Sequence, residues 1–532
     1  MTRRGWPNDL VRYRRPASII VRVGSPVAPG SPPVLTVRPR AAGRIDGWSA
    51  GRRRPSPTEL VVALTLLGAI LRFATLNVQS IWLDESATML LIHRGFSGML
   101  SNLPESQSSP PLYYILIWAW TKVFGTGPVG FRSFSALAGT LTIPVMYLAG
   151  RQVSQRVGVW AALLTTVNPA MYYYSQEVRD YGLWILLTAV AFVLWQRALQ
   201  APDGRRLALW AGASILAVLT HYFTAFLFVP ETIILARRLG WRRILAPAGA
   251  VVVVGLALVP LAVAQTASGK VTWIEEASLP SRLGETAKLF VVGVYGPLEI
   301  VSAVLAGLLA LAGAVLLLRR GDERERGLAR DAAIVAAVAV ALPLLSAATR
   351  TLDVYDGRNV IAVWIPFGVF LACCFGTARA RRSATLLGVA LCVISLAVIA
   401  SIDVLPTYQR DDWRAAAHAI GTPPSTRVIV LERYGSAPLS IYLGLSSLHG
   451  VYGKRVATRE VDFVALRKRR TGGAPYPAEV NTRPPAGFRL AGVTKTETFA
   501  VARFVAARTI SLNANALRRL TGEATAEVIV QR

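Results

Sequence analysis

Charge and cysteine are both scarce in this sequence. Only 17% of its 532 residues are charged, where a soluble protein of this size carries about a quarter. The three cysteines, Cys373, Cys374 and Cys392, all sit inside apolar runs. That excludes a disulfide framework and a cysteine-built zinc site. Four histidines in the whole chain argue equally against a histidine-built metal site. Acids are the rarer charge, 30 Asp+Glu against 58 Lys+Arg, for a net +28. There is no Walker loop, dinucleotide fingerprint, His-x-x-x-His pair or Gly-x-Ser-x-Gly elbow, so the function classes carried by those motifs have no support.

What is present is apolar: 53% of residues are hydrophobic and the mean hydropathy is +0.44. Several runs approach or exceed about 18 residues with almost no charge, the length of a membrane-crossing helix. The pattern predicts eleven spans, near 59–78, 132–150, 157–172, 181–196, 207–220, 222–236, 244–265, 297–318, 332–349, 359–376 and 383–402. His221 interrupts the 207–236 region. Residues 79–130 read as a polar, irregular loop with one short apolar stretch, Pro111–Phe124. At about 14 residues that stretch suits an interfacial or re-entrant helix rather than a span.

Arginine placement then orients the bundle. Short loops at Arg151/Arg156, Arg197/Arg205/Arg206, Arg237/Arg238/Arg242/Arg243, Arg319/Arg320/Arg324/Arg326/Arg330 and Arg379/Arg381/Arg382 all fall on one side. By the positive-inside rule that side is cytoplasmic. The excess of positive charge therefore needs no nucleic acid as partner. Residues 1–57, with twelve Arg against two Asp and clustered Pro and Gly, read as a disordered basic cytoplasmic tail. Residues 58–402 form the transmembrane domain. Residues 403–532 form a small extracytoplasmic α/β domain with 19 Lys+Arg against 10 Asp+Glu. In it Arg427–Glu432 reads as a buried strand, Ala437–Leu443 as a helix, and Phe488–Val493 with Thr498–Phe504 as a hairpin.

The outer loops, 79–130, 172–181, 266–296 and 350–358, hold the unusual chemistry. Asp84 and Glu85 follow directly on the first span, a low-dielectric setting that makes adjacent acids costly. They read either as a general base or metal ligand, or as helix caps with Asp84 at the N-cap. Arg179 pairs with its neighbour Asp180, or grips a lipid phosphate through a charge-assisted fork. Arg358 snorkels to headgroups or does the same. Arg72, near the outer end of the first span, reads as a snorkelling residue or a partner for the acids. Lys122 and Arg132 flank the short apolar helix as surface anchors, and His221 reads as a hydrogen-bonded structural group.

Trp82-Leu83-Asp84-Glu85, then Pro110-Pro111-Leu112-Tyr113-Tyr114, Phe124-Gly125 and Arg132-Ser133-Phe134-Ser135-Ala136-Leu137 together resemble the GT-C glycosyltransferases. The branch resembled holds the dolichyl-phosphate-mannose protein mannosyltransferases and the aminoarabinose transferase of lipid A. Tyr174–Tyr181 and Gly357-Arg358-Asn359 resemble later motifs of that branch. Asp411-Asp412-Trp413-Arg414 resembles a segment found after the last span in bacterial members.

The resemblance implies sugar transfer from a polyprenyl-phosphate carrier to a protein or cell-envelope glycolipid on the outer face of a bacterial plasma membrane, with inversion. It implies Asp84 as general base and Glu85 as its orienting partner or a sugar or acceptor contact. Arg179, Arg358, Arg132 and Lys122 become donor-phosphate contacts, and Tyr113, Tyr181 and His221 line the sugar or acceptor pocket. The sugar expected is mannose or a similar hexose. No metal site is expected and no cofactor is obligatory; a divalent cation is possible but not favoured, because one acid pair supplies few ligands. One departure stands out. Many relatives carry His or Lys directly before the Pro-Pro pair, where this chain has Ser109. Two other classes remain beside this one: a transporter or flippase of a lipid-linked solute, for which paired broken helices and mid-bilayer charges are missing, and an inactive scaffold member of the same family.

Overall fold

The computed structural model describes residues 55–269, 272–432, 434–444, 448–450, 454–467, 478–480, 483–523 and 525–532. Residues 1–54 lie outside it, and with them nearly all of the expected basic tail. Pro55–Arg532 is one compact unit.

Its first helix, Pro57–Ala74, begins at a reciprocal cap. Glu59 N donates to Ser56 Oγ at 3.2 Å and Ser56 N donates to Glu59 Oε2 at 2.7 Å, satisfying two of the donors that every helix start leaves open. Eight helical segments among the described residues are long and apolar enough to cross a membrane: Pro57–Ala74, Pro128–Gly150, Tyr181–Gln200, Trp241–Ala267, Glu299–Arg320, Glu323–Ala348, Gly357–Gly376 and Ala378–Val404. The other three expected spans are shorter helices. Gln155–Val167 has 13 residues and stops where Asn168 caps the next turn, Pro169–Tyr174. Gly204–Val218 and Thr224–Leu239 have 15 and 16 residues and meet around His221.

The helices sort by burial. Gly357–Gly376, Tyr181–Gln200 and Pro128–Gly150 are mostly buried, whereas Trp241–Ala267 and Glu299–Arg320 leave their apolar surface exposed. Apolar helices that stay exposed in the protein are the ones that face lipid. Close contact at the centre depends on small residues. A side chain at Gly139 would collide with Ser175, so only glycine lets Pro128–Gly150 approach the 175–180 loop this closely. Arg72 does not snorkel, and it has no bond to either acid of the first loop. It turns inward and donates to Ser175 Oγ at 3.0 Å and to the Thr165, Thr166 and Gly68 carbonyls, closing the open carbonyl end of Gln155–Val167.

Loop 79–130 is more ordered than its polar sequence suggests. It forms helices Leu83–His93, Gly95–Ser106 and Leu112–Phe124. Met89, Leu91, Ile92, Met99, Leu103, Tyr113, Tyr114 and Ile117 bury together against Phe131 and Val178. Burying each such side chain contributes roughly 1.5–3 kcal/mol, enough to order a segment whose apolar residues are too dispersed to signal a core.

The C-terminal region carries strands β1 (Arg427–Leu431), β2 (Leu448–Gly450), β3 (Arg455–Leu466), β4 (Arg489–Lys495), β5 (Phe499–Asn513) and β6 (Glu527–Gln531) in one sheet of order β2-β6-β1-β3-β5-β4. Only β1 and β3 run parallel, and helix Ser436–Leu443 lies between them in sequence. Alternate residues face two cores. Ile429, Leu431, Val464 and Val501 pack with Trp413, Ala416 and Leu439, while Val428, Val430, Phe463 and Phe504 pack with Leu517. β4 and β5 form the expected hairpin. The sheet is held to the first loop by hydrogen bonds. Ile81 N donates to Tyr442 Oη at 2.7 Å, Arg414 N to Ser80 Oγ at 3.0 Å, and Arg414 Nη1 to the Asn77 carbonyl at 2.8 Å.

Candidate active site

Trp82 takes the N-cap of helix Leu83–His93, so Asp84 falls inside the first turn rather than capping it. Being adjacent, the two acids point different ways. Glu85 is fully buried. Its Oε1 accepts from Arg132 Nε at 2.8 Å and its Oε2 from Arg132 Nη2 at 2.6 Å. Arg410 Nη1 donates to Oε2 at 3.0 Å, and Val178 N donates to Oε1 at 3.1 Å. Burial alone would raise this carboxyl; the charges of Arg132 and then Arg410, with these bonds, outweigh it and hold it below its ordinary range.

That arrangement corrects two expectations. Arg132 donates also to the Leu76, Gln79 and Ser80 carbonyls at 2.8, 2.8 and 2.9 Å, so all five N–H groups of its fork are engaged and none remains for a phosphate. Glu85, enclosed by two guanidiniums, is sealed from sugar and acceptor and has no bond to Asp84.

Asp84 is partly exposed, its side chain at 27%. Its Oδ2 accepts from Arg358 Nη1 at 2.7 Å, a single contact rather than a closed network. Desolvation pushes its carboxyl up, but Arg358 first, then Arg179, the Arg358 hydrogen bond and Arg410 pull it below the ordinary value. Arg358 is itself fixed. Its backbone N–H donates to Asp356 Oδ1 at 3.0 Å, and its guanidinium lies 4.1 Å from the centre of the Trp273 ring, a cation–π contact that leaves the fork's orientation defined.

Arg358 also lines a cavity of about 250 Å³ together with Trp82, Tyr173, Tyr174, Glu177, Trp273, Tyr295 and Asp356. Aromatic walls with a few charged groups suit a sugar or a phosphate sugar. Gly293 stands in the same wall at φ +87°, with Pro169 only 2.8 Å from where its Cβ would be, a position closed to other residues. Glu177, 1% exposed, accepts from Trp82 Nε1 at 3.1 Å through Oε1, and its Oε2 has no hydrogen-bond partner among the described residues. Burial, reinforced by Glu85 and Asp84 against the pull of Arg410 and Arg179, pushes its carboxyl up to about 7.

The remaining candidates divide. Arg179 is buried and donates through Nη1 to Gln107 Oε1 at 2.8 Å, which also accepts from Tyr114 Oη. Among the described residues its Nε is without a partner, and so are both oxygens of fully buried Asp180, so the two neighbours do not pair with each other. Tyr113 is buried edge-on to Tyr114. Tyr181 packs between Tyr174 and His221, and His221 stacks 3.9 Å over Trp184 while its Nδ1 accepts from Phe223 N. None of these three lines the cavity; each is buried in the packed bundle. Lys122 sits exposed, 4.7 Å over the Trp118 ring, and carries no bond to either acid. Ser109 is buried and its carbonyl accepts from Gln265 Nε2 at 3.0 Å.

Sequence reasoning missed Arg410. It follows the last span, bonds Glu85, and donates through Nε to Tyr173 Oη at 3.1 Å with its plane 4.4 Å from that ring. The only signal was its place beside Asp411-Asp412-Trp413-Arg414. Glu177 and Trp273 were equally silent. Among the described residues no group of three or more His, Cys, Asp or Glu is arranged to hold a metal ion, and both first-loop acids already face arginine.

The model of the dolichyl-phosphate-mannose-protein mannosyltransferase family matches residues 108–265. No curated protein matches the chain by sequence. Among solved structures, ArnT from Cupriavidus metallidurans bound to undecaprenyl phosphate is similar over 84% of this chain and 98% of its own, at 13% identity and a TM-score of 0.51. The Archaeoglobus fulgidus oligosaccharyltransferase in its apo form is similar over 70% and 59%, at 14% identity and 0.43. The S. cerevisiae Pmt1-Pmt2 complex bound to the sugar donor is similar over 38% and 32%, at 18% identity and 0.30. ArnT is the comparison that bears on architecture, and the match covers nearly all of its own length. The chain has the GT-C fold that its loop motifs resemble: a multi-pass helical membrane bundle with a small sheet-containing C-terminal region.

Proposed function

We propose that this protein is a membrane glycosyltransferase that moves a sugar from a polyprenyl-phosphate carrier to an acceptor hydroxyl. The observation that carries the proposal is the Asp84–Arg358 pair at 2.7 Å, one partner of which forms a wall of the aromatic cavity. Asp84 takes the proton of the acceptor hydroxyl. The acceptor oxygen bonds the anomeric carbon from the face opposite the phosphate, so configuration inverts. The bond from the anomeric carbon to the phosphate oxygen breaks, and its electron pair leaves with the carrier phosphate. Arg358 meets the charge that grows there. A phosphate beside Arg358 offsets the cation that keeps the Asp84 pKa low, so Asp84 becomes a better base. Arg179, whose guanidinium among the described residues donates only to Gln107, is the second candidate for the phosphate.

The donor proposed is a hexose, with mannose first, supported by the family match at residues 108–265. The acceptor is a protein or a cell-envelope glycolipid. The arginine-rich loops at the far end of the helices support an outer-face site in a bacterial plasma membrane, with the C-terminal sheet on the same face. The proposed chemistry has no cofactor and no divalent-cation step, since Asp84 and Glu85 are each matched by arginine. Membranes carrying Asp84→Asn, supplied with a radiolabelled polyprenyl-phosphate mannose, should transfer label at least about 100-fold more slowly than wild type. Undiminished transfer would remove Asp84 as the base.

A further inference from the structure

A second cavity, of about 510 Å³, lies at the other end of the bundle. Helix Tyr181–Gln200 starts beside the candidate active site and ends in this cavity; its 20 residues place the two about 30 Å apart. The lining comes from four elements. Gln152 and Val153 follow helix Pro128–Gly150, Trp195, Gln196 and Leu199 end Tyr181–Gln200, Arg238 ends Thr224–Leu239, and Arg324, Leu328, Arg330 and Asp331 open Glu323–Ala348.

The chemistry is graded from rim to floor. Arg324 and Arg330 are exposed. Arg238 Nη2 is held at 2.8 Å from both oxygens of Asp331, and exposed Arg330 Nε lies 3.8 Å from the same carboxylate, so the single acid among the lining residues is shared by two of three cations and leaves a net positive charge. Trp195, Leu199, Val153 and Leu328 are apolar. Gln196 is 3% exposed, and among the described residues neither its Oε1 nor its Nε2 has a hydrogen-bond partner. A buried amide with both ends unmet costs stability unless something enters to satisfy it.

We infer that this cavity binds the headgroup of an anionic phospholipid from the leaflet opposite the active site. The phosphate meets Arg324 and Arg330 at the rim, headgroup hydroxyls reach the Gln196 amide, and the acyl chains leave along the exposed apolar helices. Basic pockets between membrane helices take anionic headgroups in this way. Zwitterionic lipid lacks the net charge, and a free phosphate ion lacks the apolar body that Trp195 and Leu199 would cover.

The full-length protein, purified in neutral detergent and stripped of lipid, tests this by native mass spectrometry and thermal melting. Phosphatidylglycerol should bind and raise the melting temperature, and phosphatidylcholine should do neither. Arg324→Gln/Arg330→Gln should weaken phosphatidylglycerol binding on the order of tenfold. Gln196→Leu should melt at or above wild type without lipid, because it removes the unmet amide, and should gain less from phosphatidylglycerol. Equal binding of the two lipids, or unchanged binding by both variants, overturns the inference. An equal melting shift with inorganic phosphate alone also overturns it, by assigning the cavity to a free anion.

Discussion

Two acid–arginine assemblies occupy one helical turn and behave as different kinds of structure. Glu85 sits between Arg132 and Arg410 with no exposure, and its carboxylate is enclosed by donors. Asp84 meets a single guanidinium and keeps a quarter of its side chain open. The first assembly ties three distant segments together: the start of the first loop helix, the start of span Pro128–Gly150, and the stretch after the last span. The second stands at the edge of a cavity and is joined by a single N–H contact. A buried ion pair that is closed holds a structure, whereas one that is left open can react.

Breaking the closed assembly should have the largest effect. Glu85→Ala leaves two buried guanidiniums uncompensated, and a loss of about 3–5 kcal/mol is expected, read as a collapse of the melting temperature and of folded protein in membranes. The open pair should respond in the opposite manner. Asp84→Asn should melt close to wild type while transfer falls by the roughly 100-fold or more expected for loss of a base. If Asp84→Asn unfolds the protein and Glu85→Ala does not, the two roles have been exchanged and the comparison fails.

Glu177 sharpens the contrast through pH. Its folded-state carboxyl is pushed up to about 7 from an ordinary 4.5. The stability that comes from keeping it protonated is full below about 4.5 and is lost as pH rises through 7. Glu177→Gln is neutral at every pH. Its melting temperature should therefore gain on wild type as pH rises from about 4.5 to 7, and hold the gain above that. A difference independent of pH would show that Glu177 is not the titrating group. The smallest expected effect is that of a chelator: EDTA should leave transfer within about twofold of untreated membranes, and an abolished rate restored by a divalent cation would put a metal at Asp84.

Much of the architecture was legible in the sequence because it rests on short-range patterns. Apolar run length marks helices that cross a bilayer, and arginine counts mark the loops at one end of them. The strand at Arg427–Glu432 showed as a β-branched run, and the β4–β5 hairpin as two short segments with apolar residues on either side of a polar turn. Legibility stopped where short elements depend on packing. Gln155–Val167, Gly204–Val218 and Thr224–Leu239 are too short to span by length alone, and the first-loop helices owe their order to a cluster scattered along the sequence. β3 was missed because Arg459, Glu460 and Asp462 interrupt its apolar residues, and the arginines that pair the two acids, Arg427 and Arg503, come from β1 and β5.

For the site, the sequence by itself determined that rare charges collect in a few loops at one end of the helices, since charges in so apolar a chain are costly and therefore few. It placed Asp84, Glu85, Arg179 and Arg358 on that end. Only the tertiary structure decided which of them remain available. Arg132 and Glu85 satisfy one another, Arg410 arrives from 325 residues along the chain to complete their burial, and Glu177 is raised first by the burial that the fold imposes on it. The reason is physical. Cost depends on composition and can be read locally, but whether a charged group is already satisfied depends on which partners the folded chain brings within about 3 Å.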